Sequence, residues 1–276
     1  MEFVFKRTYR GPLKCAILDW AGTTMDYGVY APAVVFREVY KRQGVEISMD
    51  EARGPMGAHK KVHIQKISEM PAVAKRWKEI KGRSVTSKDI DRMFEEFVPL
   101  QLACLSDYSK LIPGTPKVLK DLKRRGMVTG STTGYTRAMV DINLREAKKQ
   151  GYCPDNTVGS DEVPAARPFP YSCWKNAIDL QVWPVEACVK IGDTLPDVGE
   201  GLNAGMWVIA IALTGNEVGL NEEEVNALAP EDKERRLQRA RERLAMAGAH
   251  YVVDGIWNVP PIIDDINRKL ADGEKP

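Results

Sequence analysis

The chain has 276 residues, 43% hydrophobic and 28% charged, with 22 Gly and 17 Pro. That composition is globular and excludes collagen-like repeats, low-complexity disorder and a coiled-coil rod. Lys and Arg total 40 against 38 Asp and Glu, and a net charge of +2 gives no broad footprint for nucleic acid or a membrane surface.

The apolar run Trp207–Leu213, even with Met206 before it, falls far short of the roughly 20 residues a spanning helix needs. The first residues contain no apolar stretch of signal-peptide length. Five scattered cysteines (Cys15, Cys104, Cys153, Cys173 and Cys188) form no CxxC pair, which speaks against a structural zinc site or a disulfide framework. A cytoplasmic protein is the expectation.

In chain order, the first apolar run is Cys15–Leu18, a buried strand that ends at Asp19. A helical block follows, with helices predicted over Pro32–Gln43, Ser48–Gly54, His59–Met70, Val73–Ile80 and Ser87–Leu105. Strands and helices then alternate: a helix over Pro116–Arg125, a diluted strand over Met127–Thr132, and helices over Arg137–Gln150 and Tyr171–Leu180. The strand Ala187–Ile191 runs into Gly192-Asp193-Thr194, a helix covers Leu195–Ala204, and the strand Trp207–Leu213 runs into Thr214-Gly215. The charged stretch Asn221–Arg243 reads as one or two solvated surface helices, and Tyr251–Val253 as a last strand before Asp254. Buried strands alternating with helices imply an α/β fold, a doubly wound, mostly parallel Rossmann-like sheet. The block without strands implies an inserted all-helical cap over residues 28–105, with 1–27 and 106–276 forming the core domain.

In such sheets ligands bind outside the carboxyl ends of the strands. Asp19, Thr133, Arg167 and the Asp193/Asp197 pair lie at such ends or in the loops after them. Each alone reads equally as a cap or a surface charge. Together they suit phosphoryl transfer: an Asp nucleophile, a hydroxyl and a cation on the phosphoryl oxygens, and further carboxylate for Mg²⁺, which favours oxygen ligands.

These residues resemble the motifs of the haloacid dehalogenase superfamily. The first is matched by Ile17-Leu18-Asp19-Trp20-Ala21-Gly22-Thr23-Thr24, the second by Ser131-Thr132-Thr133-Gly134, the cationic third by Arg167 and the acidic fourth by Gly192-Asp193-Thr194 through Asp197. Phosphatases of the superfamily carry Asp-x-Asp, whose second Asp protonates a departing alkoxide. Here that position is Ala21, so an ordinary sugar-phosphate phosphatase or mutase of the same fold is the weaker reading. A non-catalytic phosphate-binding module is weaker still, because Asp19, Asp193 and Lys60 are all present.

Met56, Lys60 and His63 are spaced to share one helical stripe. Taken alone, Lys60 next to Lys61 reads as a solvated basic pair and His63 as a surface or capped residue; a lysine beside a histidine can instead form a Schiff base with a carbonyl substrate. The iminium then lets a carbon attached to phosphorus leave as an enamine, which needs no acid at Ala21. With Arg53-Gly54-Pro55-Met56-Gly57 the combination resembles the phosphonoacetaldehyde hydrolase family, which cleaves a C–P bond to give acetaldehyde and phosphate; Gly54 and His59 depart from its usual pattern. The resemblance implies Asp19 as the nucleophile that forms an aspartyl-phosphate. It implies Asp19, the Ala21 carbonyl and Asp193 as Mg²⁺ ligands, with Asp197 behind them. Thr133 and Arg167 are then expected on the phosphonate oxygens, Lys60 as the Schiff base with His63 as its proton partner, Met56 lining the lysine's pocket, and Tyr135 and Gly57 positioning substrate. A homodimer is expected through the apolar cap residues Val34, Val35, Phe36, Val39 and Tyr40.

Overall fold

Apolar runs that can be buried on both faces belong inside a parallel sheet, and five short strands meet that description. They are β1 (Cys15–Leu18), β2 (Val128–Ser131), β3 (Cys188–Gly192), β4 (Trp207–Ile211) and β5 (Tyr251–Val253). Their order is β2-β1-β3-β4-β5 and every pairing is parallel. Residues 8–276 are described in this computed structural model, so the opening residues read for a leader lie outside that range. No helix among the described residues is long and apolar enough to cross a membrane.

Between β1 and β2 the chain runs through α1 (Tyr30–Arg42), α2 (Met49–Arg53), α3 (Lys60–Glu69), α4 (Pro71–Lys81) and α5 (Ser87–Cys104), with no strand among them. Ser48 caps α2 and Thr86 caps α5 through reciprocal bonds with Glu51 and Asp89, which sets where each helix begins. The remaining helices pack about the sheet: α6 (Thr115–Arg124), α7 (Arg137–Lys149), α8 (Tyr171–Asp179), α9 (Leu195–Asn203), α10 (Glu222–Ala227), α11 (Pro230–Met246) and α12 (Val259–Asp272).

Three differences from the sequence reading have physical causes. Helix α12 was not anticipated: no element was assigned after Asp254. Proline is tolerated in a first helical turn, and Val259, Ile263, Ile266 and Leu270 then bury one stripe in the main core. The charged stretch forms two helices, but Leu237, Ala240 and Leu244 of α11 are buried, so its face is solvated only in part. In α1, Val35, Phe36, Val39 and Tyr40 are buried within the chain and Val34 is partly covered. The apolar face from which a dimer was expected is thus spent on the cap's own core.

That cap core gathers Phe36, Tyr40, Trp77, Met93 and Phe97, and it reaches Tyr135 and Met139 beside the sheet. Phe36 stacks on Phe97 at 4.5 Å between ring centroids. The cap is therefore seated on α7 and on the loop after β2, which carries the second motif. Trp77 is wholly buried in this cluster, so Trp77→Ala should lower stability to urea by about 3–5 kcal/mol. A loss below about 1 kcal/mol would contradict this account of the cap core.

Candidate active site

Parallel strands deliver their carboxyl ends to one edge. Asp19 follows β1, Thr132 and Thr133 follow β2, and Asp193 follows β3. The turn after Asp19 is tight, and Thr24 Oγ1 donates to the Asp19 carbonyl at 2.9 Å. Gly22 has φ +82°, and a Cβ there would run into the Asp193 carboxylate. Glycine is needed at this point because backbone and carboxylate must touch.

Asp193 accepts from Thr23 Oγ1 at 3.2 Å and from the Asn216 amide at 2.8 Å. Asp197 is the third residue of α9, where its Oδ2 accepts from the Thr194 hydroxyl in a capping box. Oxygens of Asp19, Asp193 and Asp197 all lie within 4.8 Å of one another, and all three residues are buried. Burial raises the Asp193 carboxyl well above its ordinary value, and the charges of Asp19 and Asp197 push the same way. Burial also raises Asp19, although the Arg167 guanidinium works against it. Burial opposes ionisation of Asp197 too, but Arg167 and Lys190 outweigh it and hold that carboxyl low.

Arg167 is the hub of the cluster. Its Nη2 donates to Asp19 Oδ1 at 2.7 Å and to Thr132 Oγ1 at 2.7 Å, and its Nε donates to Glu200 Oε2 at 3.0 Å. Its Nη1 lies 3.0 Å from Asp197 Oδ1. Lys190 lies beneath, with Nζ 2.8 Å from Asp197 and 3.2 Å from Glu200, donating to Thr132 Oγ1 at 2.7 Å. Lys190, Glu200 and Thr132 were missed as site residues by sequence reasoning. A lysine inside the apolar run Ala187–Ile191 was the available signal, since a wholly buried lysine needs partners. Glu200 and Asn216 carried no comparable signal.

The cap closes over this edge. Gly57 has φ +91°, and a Cβ there would meet the Thr194 hydroxyl, so cap and core backbones approach closely. Lys60, the first residue of α3, holds Nζ 4.8 Å from the centre of the Tyr135 ring and 5.8 Å from that of Phe36. A cavity of about 20 Å³, room for roughly one water, is lined by Asp19, Ala21, Met56, Gly57, Lys60, Thr133, Tyr135 and Arg167. Burial lowers the Lys60 amine to about 8, with Arg167 helping and the charges of Asp19 and Asp26 opposing.

His63 lies behind Lys60 and does not line that cavity. Its Nε2 bonds the Ala52 carbonyl at 2.8 Å, and its ring stacks on Phe36 at 3.8 Å. Burial, and then the Lys60 charge, drive its pKa well below the ordinary value. No hydrogen bond joins His63 to Lys60 among the described residues.

The donor set suits a hard divalent cation. Asp19, Asp193 and Asp197 offer only oxygens, and Asp193 meets no cationic side chain among the described residues. The Ala21 carbonyl receives no backbone hydrogen bond among them.

The model of the haloacid dehalogenase-like hydrolases matches residues 13–205. A phosphonoacetaldehyde hydrolase from Syntrophobacter fumaroxidans is 45% identical over 99% of both chains. One from Bacillus cereus is 42% identical over 93% of this chain and 97% of its own. The crystal structure of a phosphonoacetaldehyde hydrolase-like protein from Oleispira antarctica superposes with a TM-score of 0.97 at 41% identity, covering 100% of each chain. A hydrolase motif set on a parallel sheet, a helical cap that brings a lysine to it, and relatives of this closeness agree: the chain belongs to the haloacid dehalogenase-like hydrolases, among the relatives named phosphonoacetaldehyde hydrolase.

Proposed function

We infer that the protein hydrolyses the C–P bond of phosphonoacetaldehyde to acetaldehyde and phosphate, through a Lys60 Schiff base and an Asp19 aspartyl-phosphate. The observation that carries this reading is Lys60 itself: a buried amine, lowered to about 8, that shares a cavity with Asp19 and Arg167. An ordinary phosphatase has no use for a lysine poised to be neutral. Ala21, where a carboxylate would protonate an alkoxide, points the same way.

The chemistry balances on this chain's own groups. The neutral Lys60 amine adds to the aldehyde carbon, and the hydroxyl of the carbinolamine takes up a proton from solvent and leaves as water to give an iminium. Thr133 and Arg167 orient the phosphonate oxygens. An Asp19 oxygen attacks phosphorus, the P–C bond breaks, and its electron pair moves into the enamine. Protonation and hydrolysis of the enamine return acetaldehyde and free Lys60, and water cleaves the aspartyl-phosphate. Met56 and Tyr135 keep the lysine's surroundings apolar, and the tight approach of Gly57 to the core excludes solvent. His63, held neutral against the Ala52 carbonyl, would serve as the proton partner only through a shift of its ring or an intervening water. Mg²⁺, held by Asp19, Asp193 and the Ala21 carbonyl with Asp197 behind them, would supply positive charge to the phosphoryl oxygens.

Three outcomes follow. Acetaldehyde release from phosphonoacetaldehyde should fall at least a thousandfold in Lys60→Arg, which keeps the charge but cannot form an imine; near-normal release would contradict the Schiff base. Chelator treatment should abolish turnover and Mg²⁺ should restore it, while Asp193→Asn stays inactive with metal added; full activity in the chelated protein would contradict the metal assignment. The lysine must be neutral to react, so kcat/KM should rise with pH towards a plateau above about 8. A rise continuing to the ordinary lysine value near 10.4 would show that burial does not tune Lys60.

A further inference from the structure

One valine stands in a backbone conformation that valines avoid. Val29, immediately before α1, has φ +56° and ψ +58°, the left-handed region, where a β-branched side chain crowds its own backbone. Such strain persists only where the surroundings impose it. The Val29 amide donates to the Asp26 carbonyl at 2.9 Å, and the Gly28 amide donates to the Thr214 carbonyl at 2.8 Å. From the cap, buried Arg53 donates through Nη1 to the Gly28 carbonyl and, at 3.3 Å, to that of Val29. The turn is thus tied down from both domains.

What the turn delivers is a side chain at the catalytic cavity. Val29 is 2% exposed and lines the space it shares with Asp19, Lys60 and Arg167. It packs with Ala33 and Met56, and Ala21 lies against the same cluster. A Cβ built on Gly22 would come 2.7 Å from Val29 Cγ2, so the valine rests directly on the turn after Asp19. Val29 and Met56 therefore form one apolar wall, which runs from the nucleophile's turn to the pocket of the Lys60 amine.

Resting on the phosphonoacetaldehyde reading above, we propose that Val29 is the residue that sets substrate size. Its two methyl groups fill the room beside the carbons that link phosphorus to the Lys60 imine. A hydrogen on the carbonyl carbon is accommodated and a methyl group is not. The cavity of about 20 Å³ has no spare space for another carbon. An apolar pocket discriminates one such carbon by roughly 10- to 200-fold. The strained backbone is what holds the wall in place.

The test compares kcat/KM for phosphonoacetaldehyde and for 2-oxopropylphosphonate, which carries a methyl on the carbonyl carbon, with Mg²⁺ present. The intrinsic difference between aldehyde and ketone cancels when proteins are compared by the ratio of the two values. Val29→Ala should shift that ratio at least tenfold towards the ketone, and Val29→Ser repeats the measurement with a second small side chain. Val29→Thr keeps the branching and should leave the ratio within threefold of the parent. An unchanged ratio in the small variants, as a purely structural role gives, would overturn the proposal, and so would an equal shift in Val29→Thr. Calorimetry with unreactive ethylphosphonate and propylphosphonate separates this from the reaction itself. In Val29→Ala, propylphosphonate should gain at least tenfold over ethylphosphonate, whether or not phosphonoacetaldehyde is cleaved. That gain without cleavage by the parent would keep the role of Val29 and overturn the reaction, whereas cleavage by the parent without the gain would overturn the role of Val29 alone.

Discussion

Everything at the active edge depends on one electrostatic constraint: buried carboxylates held within 4.8 Å of one another at the ends of β1 and β3 and the start of α9. Two like charges at that separation repel by about 3.5 kcal/mol at an effective dielectric near 20. Arg167 and Lys190 are the cations that make the arrangement tolerable, and Glu200 and Thr132 complete their hydrogen bonding. The compensation is lopsided. It favours Asp197 and leaves Asp193 with the carboxyl pushed furthest up, so the strain is concentrated where a divalent cation would be held.

The cap answers a second constraint, which is to bring an amine into the same small space without letting it pair with a carboxylate. Lys60 meets the faces of Tyr135 and Phe36, and it feels Asp19 and Asp26 only at a distance. Asp26, raised to about 6 by burial, is itself occupied at the start of α1, where it accepts from the Tyr30 and Ala31 amides. That carboxylate thus anchors a helix and leaves the lysine unpaired. The stacking of His63 on Phe36 fills the space behind the amine and keeps it dry.

Much of this was legible in the sequence, and for a physical reason. Strand ends in a parallel sheet converge, so Asp19, Thr133 and Asp193 could be placed on one edge from the apolar runs before them. Lys60 was picked out by a helical stripe read through Met56, Lys60 and His63, but α3 begins at Lys60 and Met56 lies in the turn before it, so only Lys60 and His63 share that helix. Lys190 and Glu200 stayed hidden because one sits mid-strand and the other mid-helix, where charge is ordinarily turned outward. The α1 face misled for the converse reason: a helix rich in Val, Phe and Tyr looks unpartnered until α3 and α5 are packed against it. Helix α12 went unassigned although its apolar spacing, Val259, Ile263, Ile266 and Leu270, is regular.

The central claim is that Lys60 is the covalent contact to the aldehyde, and reductive trapping tests it most directly. Borohydride added with phosphonoacetaldehyde should inactivate the protein irreversibly, only when both are present, and peptide mass mapping should place the reduced two-carbon adduct on Lys60. An adduct on Lys61 or another lysine, or no adduct during active turnover, would contradict the account.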